Sequence, residues 1–291
     1  MTTIERLTDP AAALALGSAL CLAIALVLAR VGLRGHGVIA AAATSVPTAT
    51  ALMWLAAPLA LDVSGFDWRA VGIFAACGAL FPIGQTLLSF ATNRLMGPAL
   101  SGALSNTTPL FALGFAALLL DEPVTPGRAA GAAAIIAGVV LLSLGGGGVR
   151  RDWPLWALGL PVLSAVIRGV VQPGVKLGLG YWHAPFAASL VGYTVSSAVI
   201  LSLRAVVGAP RVSARERAMF MVVGVSNASA VMLMYAALAR GAVGLVAPLV
   251  ASYPLFTLAL SAVFLRGERL HAQLLAGVGV TVGGVVLVLA G

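Results

Sequence analysis

A single charge, Arg168, stands far from either end of the apolar stretch that contains it. A guanidinium keeps its proton at any physiological pH, so it cannot shed the cost of burial by becoming neutral. It needs water, a counter-charge or an anion, and a carboxylate in a bidentate pair matches its planar fork. Gln172 lies four residues on, on the same helical face, and would share that environment. The alternative for Arg168 is a side chain that snorkels to the interface, or a helix that starts later than the apolar stretch suggests.

Two further groups of polar residues sit in apolar surroundings. Asn106, Thr107 and Thr108 precede Pro109, and Ser252 and Tyr253 precede Pro254. Proline removes a backbone donor and kinks a helix, which frees carbonyls nearby. Polar residues beside two such kinks read as site walls, or as interhelical hydrogen bonds worth about 0.6 kcal/mol each. Ser226 and Asn227 form the other group, with Gln85 and a third kink residue, Pro82, at or near corresponding places. An amide side chain is costly in lipid, so these residues are expected to face a helical interior. Tyr193 and Tyr235 read as packing residues.

What is missing narrows the chemistry. The nine acids (Glu5, Asp9, Asp62, Asp67, Asp121, Glu122, Asp152, Glu216 and Glu268) all lie outside the centres of the apolar stretches. Glu122 and Glu268 fall at junctions between stretches, where a carboxylate can accept bonds from the free amides of the next helix. His36, His183 and His271 lie at helix ends, so neither an intramembrane Ser/His protease nor a metalloprotease is expected, and no metal or cofactor site is predicted. Cys21 and Cys77 sit inside apolar runs and read as packing residues.

The elements that position these residues follow from composition. The chain has 291 residues, of which 60% are hydrophobic and only 9% charged, with a mean hydropathy of +1.06. A soluble domain carries about 25% charged residues, so water-facing architectures are excluded. The net charge of +8 is scattered singly and forms no patch for nucleic acid. Charges bound ten apolar stretches: 10–29, 35–61, 70–93, 95–120, 129–149, 153–175, 177–203, 218–239, 241–265 and 270–291. Each is long enough for a helix to cross a bilayer core of about 30 Å. Continuous apolarity, without alternation, excludes a β-barrel. The first stretch lacks a basic leader and reads as a first span. The expected fold is an all-α membrane protein of ten transmembrane helices.

The ten helices are two sets of five. Pro109-Leu110-Phe111 recurs as Pro254-Leu255-Phe256, Glu122 as Glu268, Gly131 as Gly277 and Gly138 as Gly284, at offsets of 145 and 146. Ala15-Leu16-Gly17 recurs as Ala157-Leu158-Gly159, and Arg34 corresponds to Lys176, at an offset of 142. Residues 1–149 and 150–291 are therefore expected to be two repeats. Five is odd, so the second repeat enters the membrane from the opposite side, and the repeats are inverted. That arrangement suits a carrier that presents one site alternately to two faces.

These repeated Pro, Glu and Gly positions resemble the drug/metabolite transporter superfamily, specifically its EamA-type ten-helix exporters, among which YddG-like amino-acid exporters are one relative. The resemblance implies export of amino acids or other small metabolites across a bacterial inner membrane, with cytoplasmic termini. Small multidrug antiporters of the superfamily use a carboxylate within their first helix, and none is present here, which disfavours proton-coupled export of cationic drugs. The expected partners are a small-molecule substrate, carboxylate-bearing on the Arg168 argument, and the lipid bilayer, with a monomer as the working unit. Alternatives are an integral-membrane enzyme acting on a lipid, for which no paired acids or histidines are present, a drug efflux carrier of the same superfamily, and an accessory subunit. The basic residues argue against the implied orientation. Cytoplasmic termini would place five inside (Arg6, Arg69, Arg128, Lys176 and Arg240) and eleven outside.

Overall fold

A computed structural model describes residues 9–32, 38–81, 84, 88, 91–92, 95, 104, 106–144, 154–208, 213–264 and 272–290. Among them every regular element is a helix. The first repeat contributes α1 (Pro10–Gly32), α2 (Val38–Ala60), α3 (Trp68–Leu80), α4 (Thr108–Leu120) and α5 (Pro126–Leu144). The second contributes α6 (Gly159–Tyr181), α7 (Pro185–Val207), α8 (Ala214–Arg240), α9 (Val243–Ala251), α10 (Tyr253–Phe264) and α11 (Ala272–Ala290). Among the described residues, six spans are long and apolar enough to cross a membrane, α9 and the start of α10 counting as one, and four shorter apolar helices accompany them. Backbone groups in hydrocarbon must find partners within their own segment, which is why an apolar chain of this kind folds as helices. Leu55, Leu59 and Leu118 leave 75%, 95% and 77% of their surface uncovered, an outward face that lipid tolerates and water would not.

Helix contacts come in equivalent pairs. The fifth helices of the two repeats, α5 and α11, cross with Gly131 against Gly284 and Gly138 against Gly277. Numbers rise on one helix as they fall on the other, so these equivalent helices run antiparallel. A Cβ at Gly138 would lie 2.8 Å from Gly277 O, and one at Gly284 2.8 Å from Gly131 O, so only hydrogen fits. The crossing of α3 with α7 has its counterpart in the crossing of α8 with α2. Gly78 meets the Gly192 backbone in one contact, and Gly224 meets the Ser45 backbone in the other. Along α1, Ala11, Ala15, Ala19 and Ala23 recur every four residues, are fully buried and let α8 approach. Ser18 Oγ donates to Ala230 O at 2.7 Å and Ser226 Oγ to Cys21 O at 3.0 Å, stitching that seam.

Three features differ from the sequence-based expectation. Pro109 and Pro254 do not kink continuous helices. Each sits in the first turn of a helix that restarts after a break, where its missing donor costs nothing. The breaks match: Thr107 N and Ser252 N donate to the carbonyls of Leu104 and Leu249, both at 3.2 Å. Their hydroxyls donate to the same two carbonyls, both at 2.7 Å. Lys176 does not end its span but lies inside α6, which runs on to Tyr181. Pro82, Gln85, Glu268 and Arg34 lie outside the described residues.

The crossing of α5 and α11 yields a direct test. Gly138→Val places methyl groups against backbone, which cannot rotate away, and overpacking of this kind costs about 1–3 kcal/mol or more. Gly283→Val, where nothing lies within 4 Å of a Cβ, is the matched control on the other side of the same crossing. Thermal unfolding in detergent is expected to show a lowered midpoint for Gly138→Val and little change for Gly283→Val.

Candidate functional site

α6 supplies the polar side of a central cavity. Arg168 is the tenth of its 23 residues, so it sits near the middle of the span with nine residues before it. A late helix start therefore does not account for it. Arg168 and Gln172 line a half-open cavity whose empty space, open solvent included, is ≈ 440 Å³. Gly169, between them, brings α6 onto the first turn of α4, where a Cβ would lie 2.4 Å from Phe111 Cβ. That close approach fixes the face on which Arg168 and Gln172 must project.

α8 supplies the opposite wall. Asn227 reaches the cavity, and its Nδ2 donates to the Tyr193 hydroxyl on α7 at 3.1 Å. Tyr193 is itself buried and orients the amide from behind. The remaining wall is apolar: Leu22 of α1, Phe81 after α3, Val171 of α6, Val231 and Met234 of α8 and Val250 of α9. Ser18 adds a hydroxyl that is already committed to Ala230 O.

Among the described residues, two polar groups in this cavity have no protein partner. Arg168 makes no hydrogen bond or ion pair among the described residues, whereas the described Lys176 is paired with Glu122 at 3.3 Å. Gln172 is 5% exposed, and its Oε1 is buried without a donor. An orphaned buried acceptor costs about 1–3 kcal/mol. A cation in a bilayer costs about 3 kcal/mol unless it is solvated or paired. The two lie one helical turn apart, so a ligand that carries an anion and a donor would satisfy both.

The other residues singled out by sequence are dispersed. Thr107 and Ser252 spend their hydroxyls on the helix breaks. Asn106 and Thr108 are buried beside the first break, and Tyr253 begins α10 after the second. Ser226 is bound to Cys21 O. Tyr235 is buried in the core. Glu122 does not cap the helix that follows it. Its carboxylate accepts from Val243 N at 3.1 Å and Gly244 N at 3.4 Å, at the start of α9 in the other repeat. The chain is turned to reach them by Asp121, which ends α4 with φ 51°, a left-handed conformation that Asp tolerates better than most residues.

The apolar wall carries a signal in the sequence that polar residues alone do not reveal. Residues 227, 230, 231 and 234 of α8 follow the i, i+3, i+4, i+7 spacing of one helical face. Extending the face from Asn227 finds Val231 and Met234. Ser18 and Leu22 are likewise four apart on α1. Nothing marks α1, however, as facing a cavity in place of lipid.

The comparisons with known proteins agree with this architecture. A model of the EamA-like transporter family matches residues 9–144 and, a second time, residues 155–290. A crystal structure of a protein with 20% sequence identity superposes with a TM-score of 0.76, covering 95% of each chain, a likeness of fold. No curated protein matches the sequence.

The orphaned acceptor gives a stability prediction. Gln172→Leu removes an unsatisfied polar group at similar volume, so the variant is expected to be at least as stable as the parent, by up to about 1 kcal/mol. The thermal midpoint without ligand reads it, and a clear drop would mean that Gln172 has an internal role.

Proposed function

The chain belongs to the EamA-like transporter family, and from that premise we propose that it exports amino acids or similar small carboxylate-bearing metabolites across a bacterial inner membrane. The observation that carries the proposal is the pair of unmatched groups on one face of α6. Arg168 is set for a carboxylate, and Gln172 Oε1 for a donor such as an ammonium. A zwitterion presents both within a few ångströms. The apolar wall of Leu22, Phe81, Val231 and Met234 is suited to the remainder of such a molecule. The antiparallel course of α5 and α11 supports repeats inverted across the membrane, the arrangement that alternating access uses. Cytoplasmic termini follow the family.

Reconstitution into proteoliposomes and uptake of a panel of amino acids tests the substrate class. Arg168→Ala is expected to insert normally and to lose transport of carboxylate-bearing substrates by about thirty-fold or more, the scale of truncating one partner of a buried charge pair. Arg168→Lys should recover only a fraction, since a point charge replaces a planar fork. Undiminished transport by a well-expressed Arg168→Ala protein would remove Arg168 from the site. Uptake is further expected to persist when the proton gradient is collapsed, because the described carboxylates lie at span ends. Strict dependence on that gradient would assign a proton-carrying role to a carboxylate there.

A further inference from the structure

Glu122 belongs to the first repeat, and every group it holds belongs to the second. Its carboxylate takes the Val243 and Gly244 amides and lies 3.3 Å from Lys176 Nζ. Lys176 Nζ also donates to Gly241 O, in the turn before α9. The first turn of α9 is thus held by an anion on its amides and by a cation on the carbonyl that precedes them.

This cluster sits at one end of the cavity. Lys176 lies four residues beyond Gln172 on the same face of α6, roughly 6 Å along the helix. Val243 lies seven residues before the cavity-lining Val250 on α9, roughly 10 Å along it. Both helices therefore lead from the cavity to the cluster. We propose that Glu122 and Lys176 form the lock of a gate, that α9 is the gate, and that its release opens the cavity on the side of the turn between α8 and α9. The proposal rests on the carrier reading, since a carrier must open this end at some point in its cycle.

α9 is built to move as a unit. It has nine residues, with the chain out of helix at Gly241 and Ala242 on one side and at Ser252 on the other. Tilting about Ser252 changes few helical bonds, since the ladder is already interrupted there. The lock is built to release. The Lys176 and Glu122 side chains keep 26% and 14% of their surface exposed, so water can reach both ions as they separate. A fully buried pair would resist separation through desolvation.

Accessibility labelling tests the gate without any substrate, so its outcome is independent of the amino-acid reading. In a background with Cys21 and Cys77 replaced by Ala, Val250→Cys places a thiol in the cavity wall, and a membrane-impermeant maleimide is added to either side of sealed vesicles. Val63→Cys, in the exposed loop between α2 and α3, identifies the side that bears the gate. Slow labelling of Val250→Cys from that side is expected in the parent, and about ten-fold faster labelling after Glu122→Gln, the scale of one charge-assisted hydrogen bond. Lys176→Met, which leaves the Glu122 cap on α9 in place, should do the same, and the double variant should add little to either single one. Unchanged labelling from that side in both single variants would make the cluster a static cap and overturn the proposal. Rapid labelling in the parent would overturn it too, because that end would then be open already. Should Glu122→Gln not fold, Lys176→Met decides alone.

Discussion

Helices in hydrocarbon gain nothing by hiding apolar side chains from one another, because lipid tails are as apolar as the side chains. What draws them together is contact between backbones, and small residues decide where that contact occurs. In this chain such residues are placed in equivalent pairs: Gly131 with Gly284, Gly138 with Gly277, Gly78 with Gly192, and Gly224 with Ser45. The first two pairs fasten the equivalent helices α5 and α11, and the last two fasten α3 to α7 and, in the matching crossing, α8 to α2. Away from those crossings, residues of α1, α6 and α8 line the cavity.

The helix breaks serve the same division of labour. A continuous fourth or ninth span would carry one helix from end to end as a rigid rod. The turns at Thr107 and Ser252 divide each span, and the hydroxyl bonds to Leu104 O and Leu249 O close the carbonyls that the breaks would otherwise strand. Proline follows each break, in the first turn of the restarted helix. In the ninth span the division produces α9, a short piece whose far end is clasped by charge while its near end lines the cavity.

Apolar stretches, their bounding charges and the two-repeat pattern are legible in the sequence because all three are properties of composition along the chain. Arg168, Gln172 and Asn227 are legible as candidates because polar groups are scarce in these spans, and they are found around one cavity. Other features depend on where the chain returns in space. Local spacing assigns Glu122 to its own neighbour, yet its amide partners lie 121 and 122 residues away. A charge reads as the end of a span, yet Lys176 is carried inside α6 because an anion from the other repeat reaches it. Proline reads as a kink, whereas preceding turns at Thr107 and Ser252 place it where it is best tolerated. Apolar cavity walls such as Leu22 and Val250 have the same residue types as lipid-facing ones, so nothing local distinguishes them.

Arg168 and Lys176 stand on one face of α6, two turns apart, and their residue types suit different tasks. The guanidinium at 168 is rigid, planar and always charged, and it has no protein partner among the described residues, so its fork is free for a ligand. The ammonium at 176 is a flexible point charge, and it divides its donors between a carboxylate and a backbone carbonyl. A group that binds cargo gains from fixed geometry and a vacant coordination shell. A group that locks a moving element gains from a long stem and from bonds that break singly. Exchanging the two would leave the net charge along α6 unchanged and remove both properties. Charge alone therefore does not account for this face of the helix; the chemistry of each cation at its depth does.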